Sequence, residues 1–195
     1  MAKLYFRYGT MNSGKSRQLM SVWYNYKECG KNAIIMKPSI DTKGDNKIVP
    51  RGASTREVDV LIKSRDNVYQ IVKKMKQKPD CILVDEAQFL SVKHVDQLTD
   101  VVDYLDIPVI CYGLLRDFTS HLFVGAKRLV ETCDKMEEIK TICPICGKKA
   151  TEVIRYVDGK PAKKGSQIVI DGENDKVCYK ASCRFCKKQI LKGDD

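Results

Sequence analysis

The stretch from Gly9 to Ser16 restricts the possible fold of this 195-residue chain more than any other. It reads Gly-Thr-Met-Asn-Ser-Gly-Lys-Ser and fits the pattern G-x-x-x-x-G-K-[ST], which requires a strand before it and a helix after it. Leu4 to Tyr8 has the apolar character of a short buried strand, and Ser16 to Cys29 has the spacing of an amphipathic helix. The order strand, glycine-rich loop, helix predicts an α/β domain built around a phosphate loop.

The chemistry of such a loop follows from its backbone. Its N–H groups surround phosphate oxygens, and the N-terminus of the following helix adds a dipole that favours anions. Lys15 would bridge the β- and γ-phosphates of a nucleotide, and Ser16 would ligate Mg²⁺. We predict that the whole loop binds phosphate, that is, Gly9, Thr10, Met11, Asn12, Ser13, Gly14, Lys15 and Ser16.

Strands and helices alternate along the first 140 residues. Apolar runs predict buried strands at Ala33 to Met36, Cys81 to Val84 and Val109 to Tyr112, with a further strand at Val58 to Ile62. Between them, helices are predicted after the capping residues Asp66 and Ser91. This alternation predicts a P-loop NTPase-like, mostly parallel sheet flanked by helices, with its ligands at the carboxyl ends of the strands.

Two acidic residues stand at the end of the most apolar strand. Asp85 occupies the position where nucleotide-binding folds hold Mg²⁺, and Glu86 beside it is a candidate general base. The base could activate water, as in an ATPase, or a substrate hydroxyl, as in a small-molecule kinase. The pair by itself leaves both open.

From about residue 141 the composition changes to Cys, Lys and Gly, which predicts a second domain over 141–195 after a nucleotide-binding domain over 1–140. Two Cys-x-x-Cys pairs in this domain have the spacing of a tetrahedral zinc site that is structural, since four thiolates leave no open position. Its ligands would be Cys143, Cys146, Cys183 and Cys186. The long loop between the pairs could be a lid over a neighbouring site or a plain hairpin insertion.

The formal net charge is +10, but the lysines are scattered and no aromatic residues are interleaved with them, so we do not expect nucleic-acid binding. We expect a cytoplasmic chain, because the paired cysteines suit metal and no apolar run is long enough for a membrane helix. A zinc-ribbon ATPase that acts on nucleic acid is the alternative function. A nucleotide-binding regulatory module without turnover is a third.

Several motifs together resemble the type II thymidine kinase family, which joins a phosphate-loop domain to a zinc-held lasso domain. They are the phosphate loop, Asp85-Glu86-Ala87-Gln88-Phe89, Tyr112-Gly113-Leu114-x-x-Asp117-Phe118, and the zinc pairs with Tyr179 four residues before Cys183. The motifs cover nearly the whole chain in the family's order.

The resemblance implies transfer of the γ-phosphate of ATP to the 5′-hydroxyl of thymidine, and also of deoxyuridine, by a homotetramer that dTTP inhibits. By motif position Glu86 is the base, and Gln88 and Arg51 join the residues that bind ATP. The positions that enclose the nucleoside are Met11, Phe89, Leu114, Phe118, Phe123 and the lasso residue Tyr179. The chain departs from the family pattern around Arg51, in the length of Ile168 to Tyr179, and at Ser120, where the family often has glycine.

Overall fold

The computed structural model describes residues 1–40, 46–48, 55–169 and 177–193 of the chain. Its main feature is a sheet of six strands, all paired in parallel. In chain order the strands are β1 (Leu4–Tyr8), β2 (Ala33–Pro38), β5 (Val60–Ile62), β6 (Cys81–Val84), β7 (Val109–Gly113) and β8 (Lys135–Glu138). Their order across the sheet is β5-β2-β6-β7-β1-β8, which confirms the predicted fold class.

Helices cover both faces of this sheet, because its strands alternate their side chains between two apolar clusters. On one face α1 (Lys15–Glu28) packs through Leu19 and Met20 against Ile35 and Leu83. On the other face lie α2 (Val68–Lys73), α3 (Val92–Leu105) and α4 (Val124–Thr132), which pack against a second cluster that includes Ile34 and Val84. Both faces of the central strands β2, β6 and β7 are therefore buried, as their continuous apolar runs predict.

Two features differ from the sequence-based expectations. Asn67, not Asp66, caps α2, since its side chain accepts a hydrogen bond from the backbone N–H of Gln70. Asp66 instead closes the preceding turn by accepting from the N–H of Lys63. Strand β8 was not predicted, because Lys-Met-Glu-Glu is polar and lies at the sheet edge, where only one neighbour is paired and burial is slight.

A smaller unit follows the main sheet. Its strands are β9 (Glu152–Val157), β10 (Lys160–Pro161) and β11 (Val177–Ser182), paired antiparallel in the order β10-β9-β11, and it ends in α5 (Arg184–Lys192). Its buried cluster is small and consists of three cysteines and two alanines, Cys143, Ala150, Ala181, Cys183 and Cys186. A core of this size needs another source of stability.

Two short strands, β3 (Lys47–Ile48) and β4 (Arg56–Glu57), form a separate antiparallel pair. They flank part of the polar stretch 41–56, of which residues 41–45 and 49–54, and Arg51 with them, lie outside the described residues. None of the helices in the described part of the chain combines the length and apolar character that a membrane span requires.

Candidate active site

The phosphate loop joins β1 to α1 as the sequence predicts. Steric constraints explain why its positions 9 and 14 are glycines. A Cβ on Gly9 would stand 2.6 Å from the carbonyl oxygen of Ile139, which is closer than any carbon can approach. Gly14 has φ +86° immediately before α1, in the left-handed region that glycine adopts without strain. The loop therefore turns sharply into the helix and leaves its N–H groups at the N-terminus.

Lys15 and Ser16 lie at the first turn of α1, beside the phosphate loop and Asp85. The Lys15 ammonium is buried and donates to the carbonyl oxygen of Thr10 over 2.8 Å, back across the loop. The Ser16 hydroxyl donates to Asp85 Oδ2 over 3.1 Å, so the two oxygen ligands predicted for Mg²⁺ are adjacent. Hydroxyl and carboxylate oxygens are the donor set that Mg²⁺ prefers.

Burial sets the charge state of this end of the site. It raises the pKa of Asp85 to about 7, and the neighbouring Glu86 acts in the same direction, while the Ser16 hydroxyl and Lys15 act against them. Burial also lowers the pKa of Lys15, partly offset by the charges of Glu86 and Asp85. Protein groups alone thus compensate these buried charges incompletely, a condition that a metal and phosphates would relieve.

Glu86 does not continue the strand geometry of β6. Its φ is +49°, in the left-handed region that is unusual for a non-glycine residue, and the one-turn helix Ala87–Phe89 starts directly after it. The Gln88 side chain donates through Nε2 to Glu86 Oε2 over 2.6 Å and accepts the N–H of Leu114 over 2.9 Å. Because both ends of the Gln88 amide are engaged, the Glu86 carboxylate is held in one orientation.

Glu86 lines an apolar cavity whose free space, with the open mouth included, is about 650 Å³. Every residue predicted to enclose the nucleoside lines it, namely Met11, Phe89, Leu114, Phe118, Phe123 and Tyr179. Gln88 lines the same cavity, so it lies on the acceptor side of Glu86. Met11 belongs to the phosphate loop, and the cavity is therefore continuous with the phosphate site.

The smaller unit closes one side of this cavity. Gln167 donates to Asp117 Oδ2 over 2.8 Å, and the Tyr179 hydroxyl donates to the carbonyl of Val169 over 2.8 Å. Gln167, Ile168 and Val169 themselves line the cavity. Residues 167–169, which belong to the segment between the cysteine pairs, thus lie over the site, and this favours the lid over the plain hairpin.

Arg155 on β9 contacts both the wall of the cavity and the segment that lies over it. Its guanidinium carbon lies 3.7 Å from the centroid of the Phe118 ring, and the same group donates to the carbonyl oxygens of Ser166 and Lys164. Arg155 is 4% exposed, so these contacts form away from water, where they are strongest. One side chain thus links an aromatic wall of the cavity to the segment over it.

The four predicted cysteines converge, as zinc requires. Their sulfur atoms lie within 4.8 Å of one another, and the Cys146 and Cys183 sulfurs are 3.6 Å apart. Tetrahedral coordination with Zn–S bonds of about 2.3 Å brings sulfurs to separations of this order. The cluster can hold a metal ion, and the donor set of four thiols fits a structural zinc.

Backbone N–H groups favour the thiolate form of Cys143, which is the form that binds a metal ion. Burial alone would raise the pKa of Cys143, but N–H groups of Cys183, Ile145 and Cys146 outweigh it and bring that pKa to about 6. Burial and the three neighbouring sulfurs raise the pKa of Cys186 to about 12, which keeps a proton in the cluster at neutral pH. A zinc ion would remove that remaining proton.

The structure thus places the phosphate loop, Asp85 and Glu86 beside the residues predicted to enclose the nucleoside, and it places the four cysteines in a separate cluster. Among the charged and polar residues that line the cavity or support it, sequence reasoning missed four: Arg116, Asp117, Arg155 and Gln167. Asp117 belongs to the motif that runs from Tyr112 to Phe118, so the sequence offered a signal for it. The other three have no local pattern, since they reach the site only through contacts between distant segments.

Fold and site together define a P-loop nucleotide-binding α/β protein that carries a four-cysteine unit and a covered apolar pocket beside the phosphate loop. Comparison with known proteins specifies the class further. The sequence profile described as thymidine kinase matches residues 2–187. The thymidine kinase of Lactococcus lactis subsp. lactis is 47% identical over 194 residues, with 100% of both chains covered.

Other relatives agree with that match. The thymidine kinase of Streptococcus agalactiae serotype V is 45% identical over 100% of both chains, and that of Streptococcus gordonii is 42% identical over 100% of this chain and 98% of its own. The chain belongs to the thymidine kinase family, so the predicted resemblance is confirmed. Among solved structures, the replication initiator DnaA bound to AMPPCP and single-stranded DNA matches 71% of this chain and 40% of its own, with 18% identity and a TM-score of 0.45. A likeness this partial says nothing about function.

Proposed function

We propose that the chain transfers the γ-phosphate of ATP to the 5′-hydroxyl of thymidine, giving ADP and dTMP. The observation that carries the assignment is the position of Glu86, which lies at the junction of the phosphate site and the apolar cavity. A carboxylate there can reach an acceptor hydroxyl that enters from the cavity side. Family membership supplies the identity of the acceptor and the donor.

In this mechanism Glu86 accepts the proton of the 5′-hydroxyl as the oxygen attacks the γ-phosphorus. The bond between that phosphorus and the β–γ bridging oxygen breaks, and ADP leaves with the electron pair. Lys15 and the N–H groups of the phosphate loop hold the β- and γ-phosphates and stabilise the charge that develops on them. Gln88 keeps the Glu86 carboxylate turned toward the acceptor through its 2.6 Å hydrogen bond.

Ser16 and Asp85 are the residues that would hold Mg²⁺, whose charge neutralises the phosphates when it is bound. Asp85 must be ionised for this role, and the arriving cation lowers its raised pKa. Met11, Phe89, Leu114, Phe118, Phe123 and Tyr179 enclose the nucleoside in this assignment. The covering segment excludes water, which favours transfer to a hydroxyl over hydrolysis of ATP.

We assign residues 1–140 to nucleotide binding and residues 141–195 to the zinc-held lasso domain. Deoxyuridine as a second substrate, inhibition by dTTP and a homotetramer follow from the family resemblance and belong to the same proposal. A cytoplasmic location agrees with four thiols that must stay reduced to bind zinc. Light scattering and dTTP titration of the thymidine reaction test the assembly and the inhibition.

The assignment is tested by incubating the protein with ATP and Mg²⁺ together with thymidine, deoxyuridine, deoxycytidine or single-stranded DNA. We expect thymidine and deoxyuridine to be converted to their 5′-monophosphates, one ADP per product, with little ATP consumed in the absence of a nucleoside. ATP hydrolysis that is indifferent to nucleosides and stimulated by DNA would replace the proposal with the nucleic-acid ATPase.

A further inference from the structure

A buried ion pair lies between the smaller unit and the loop that walls the cavity. The Lys187 ammonium, on α5, is 3.0 Å from Oε2 of Glu152, on β9. Both residues are only 6% exposed. Lys187 follows the cysteine Cys186 directly in sequence, so its position depends on the cysteine cluster.

The third member of the group comes from the main domain. The Ser120 hydroxyl donates to Glu152 Oε2 over 2.6 Å and accepts from the Lys187 ammonium over 2.8 Å. Arg116, in the same loop as Ser120, contacts the other oxygen of Glu152 at 3.4 Å. We call Ser120, Glu152 and Lys187 the polar bridge.

Ser120 makes these contacts from an unfavourable backbone conformation. Its φ is +70°, in the left-handed region that a non-glycine residue adopts only with backbone strain. The strain persists because the hydroxyl is engaged on both sides by buried charges. A side chain is therefore kept at a position where glycine would fit the backbone better.

The polar bridge ends close to the wall of the cavity. The N–H of Ser120 donates to the carbonyl of Asp117 over 3.1 Å, and Asp117 and Phe118 both line the cavity. Asp117 in turn accepts from the N–H groups of Thr119 and His121, so hydrogen bonds cross-link the loop internally. A displacement of Ser120 is thus transmitted to Phe118.

Stability alone is a weak reason for such a group, because a buried ion pair gains little over apolar residues of the same size. Its geometry, in contrast, is specific, since three side chains from three segments must meet for every charge to be compensated. We propose that Ser120, Glu152 and Lys187 are positioning residues that fix the loop carrying Asp117 and Phe118 and thereby set the affinity for the nucleoside. The proposal rests on the proposed kinase function.

Ser120→Gly and Ser120→Ala test the bridge with small changes. Glycine removes both the hydroxyl and the backbone strain, whereas alanine removes only the hydroxyl. We expect both variants to raise the KM for thymidine about five- to twentyfold, as the loss of hydrogen bonds to charged groups predicts, with the KM for ATP unchanged within twofold. Ser120→Gly should unfold at a temperature no lower than the parent, which separates positioning from stability.

Two further measurements make the test sharp. Ser21→Ala is the matched control, since that hydroxyl lies on α1 and donates to the carbonyl of Arg17 in the same helix. Glu152→Gln with Lys187→Met removes both charges together and leaves no lone buried ion. In that background Ser120→Ala should raise the thymidine KM no further, because the bridge is already broken.

The bridge proposal is overturned if Ser120→Gly and Ser120→Ala keep the parent's thymidine KM, or if the KM values for ATP and thymidine rise together. It is also overturned if Ser120→Ala raises the thymidine KM by its full factor in the Glu152→Gln, Lys187→Met background, so that the two effects add. Calorimetric titration with thymidine should show the same weakening, independently of turnover. Failure of the parent itself to phosphorylate thymidine would instead reject the proposed function, and the bridge proposal with it.

Discussion

The phosphate end of the site and its acceptor side are built differently, although they meet at Glu86. Phosphate contacts come from two loops that directly follow β1 and β6, whose strands are held in the main sheet. The acceptor cavity includes Met11 and Phe89 from these same loops, but its other walls come from the loop after β7, the segment over the cavity and strands β9 and β11. One end is fixed by the core, and the other depends on contacts between two units.

This difference predicts which substitutions should affect turnover and which should affect nucleoside binding. A change at the phosphate end should lower turnover, because those groups act on the transferring phosphoryl group. A change at the acceptor side should weaken nucleoside binding with less effect on ATP, because it loosens a pocket assembled from distant segments. Kinetic constants for the two substrates can therefore separate the two regions.

The largest effect is expected at the phosphate end. Lys15→Met removes the cation from the β- and γ-phosphates and should lower kcat by about 10³, on the scale of a lost charge stabiliser in the transition state. Steady-state kinetics measure this, and calorimetry should find thymidine binding retained. The exposed Lys93 on α3 offers a matched control, since Lys93→Met should keep full activity. A Lys15→Met enzyme that loses thymidine affinity instead would break the separation of the two ends.

On the acceptor side we expect a smaller effect, which concerns the KM for thymidine. Arg155→Met loses the stacking on Phe118 and the hydrogen bonds to Ser166 and Lys164, and should raise the thymidine KM roughly 10- to 100-fold. The KM for ATP should change little. Arg128→Met, which removes ion pairs with Asp96 and Glu131 on the helical face, serves as the control. Equal losses for ATP and thymidine would show that Arg155 supports the whole fold and not the pocket.

The smallest effect concerns stability and pH at the phosphate end. The pKa of Asp85 is about 7 in the folded chain and near 3.8 when unfolded, so the folded state holds this proton more tightly. Stability without nucleotide or Mg²⁺ should therefore fall as pH rises from about 4 to 7 and then level off, by on the order of 1 kcal/mol or more. Asp85→Asn cannot ionise and should lack this decrease.

Thermal unfolding of the parent and Asp85→Asn across pH 5 to 8 measures the difference, which is about 2–4 °C per kcal/mol in a chain of this size. The variant should be the more stable of the two at pH 8 while having lost activity. Parallel pH profiles for the two proteins would mean that Asp85 is not destabilised by its burial, and the account of the phosphate end would need revision.

The same contrast explains what could be read from the sequence. The phosphate loop, Asp85 and the apolar strands obey local patterns, because glycine geometry and strand burial act over a few residues. Arg155 and Gln167 follow no such pattern: Gln167 meets Asp117 across 50 residues of chain, and Arg155 reaches Phe118 from another unit. Their roles depend on how two units pack, which neither charge nor spacing reveals.

The polar bridge shows the same limit. Ser120 could be noticed as a departure from the family's glycine, but its partners Glu152 and Lys187 lie 32 and 67 residues away. Strand β8 was missed for a different reason, since a polar edge strand has neither the alternation nor the apolar run that marks a buried one. Conversely, the four cysteines were found because metal ligands impose their own spacing.

The most direct test of the central claim compares the parent with Glu86→Gln in a single-turnover measurement of dTMP formation, alongside thymidine binding. Glutamine keeps the shape and the hydrogen-bonding capacity toward Gln88 but cannot accept a proton at neutral pH. The account predicts that transfer slows by about 10² or more while thymidine binds with affinity near that of the parent. Transfer at the parental rate would contradict it, and Glu86 would no longer be the base at the junction of the two regions.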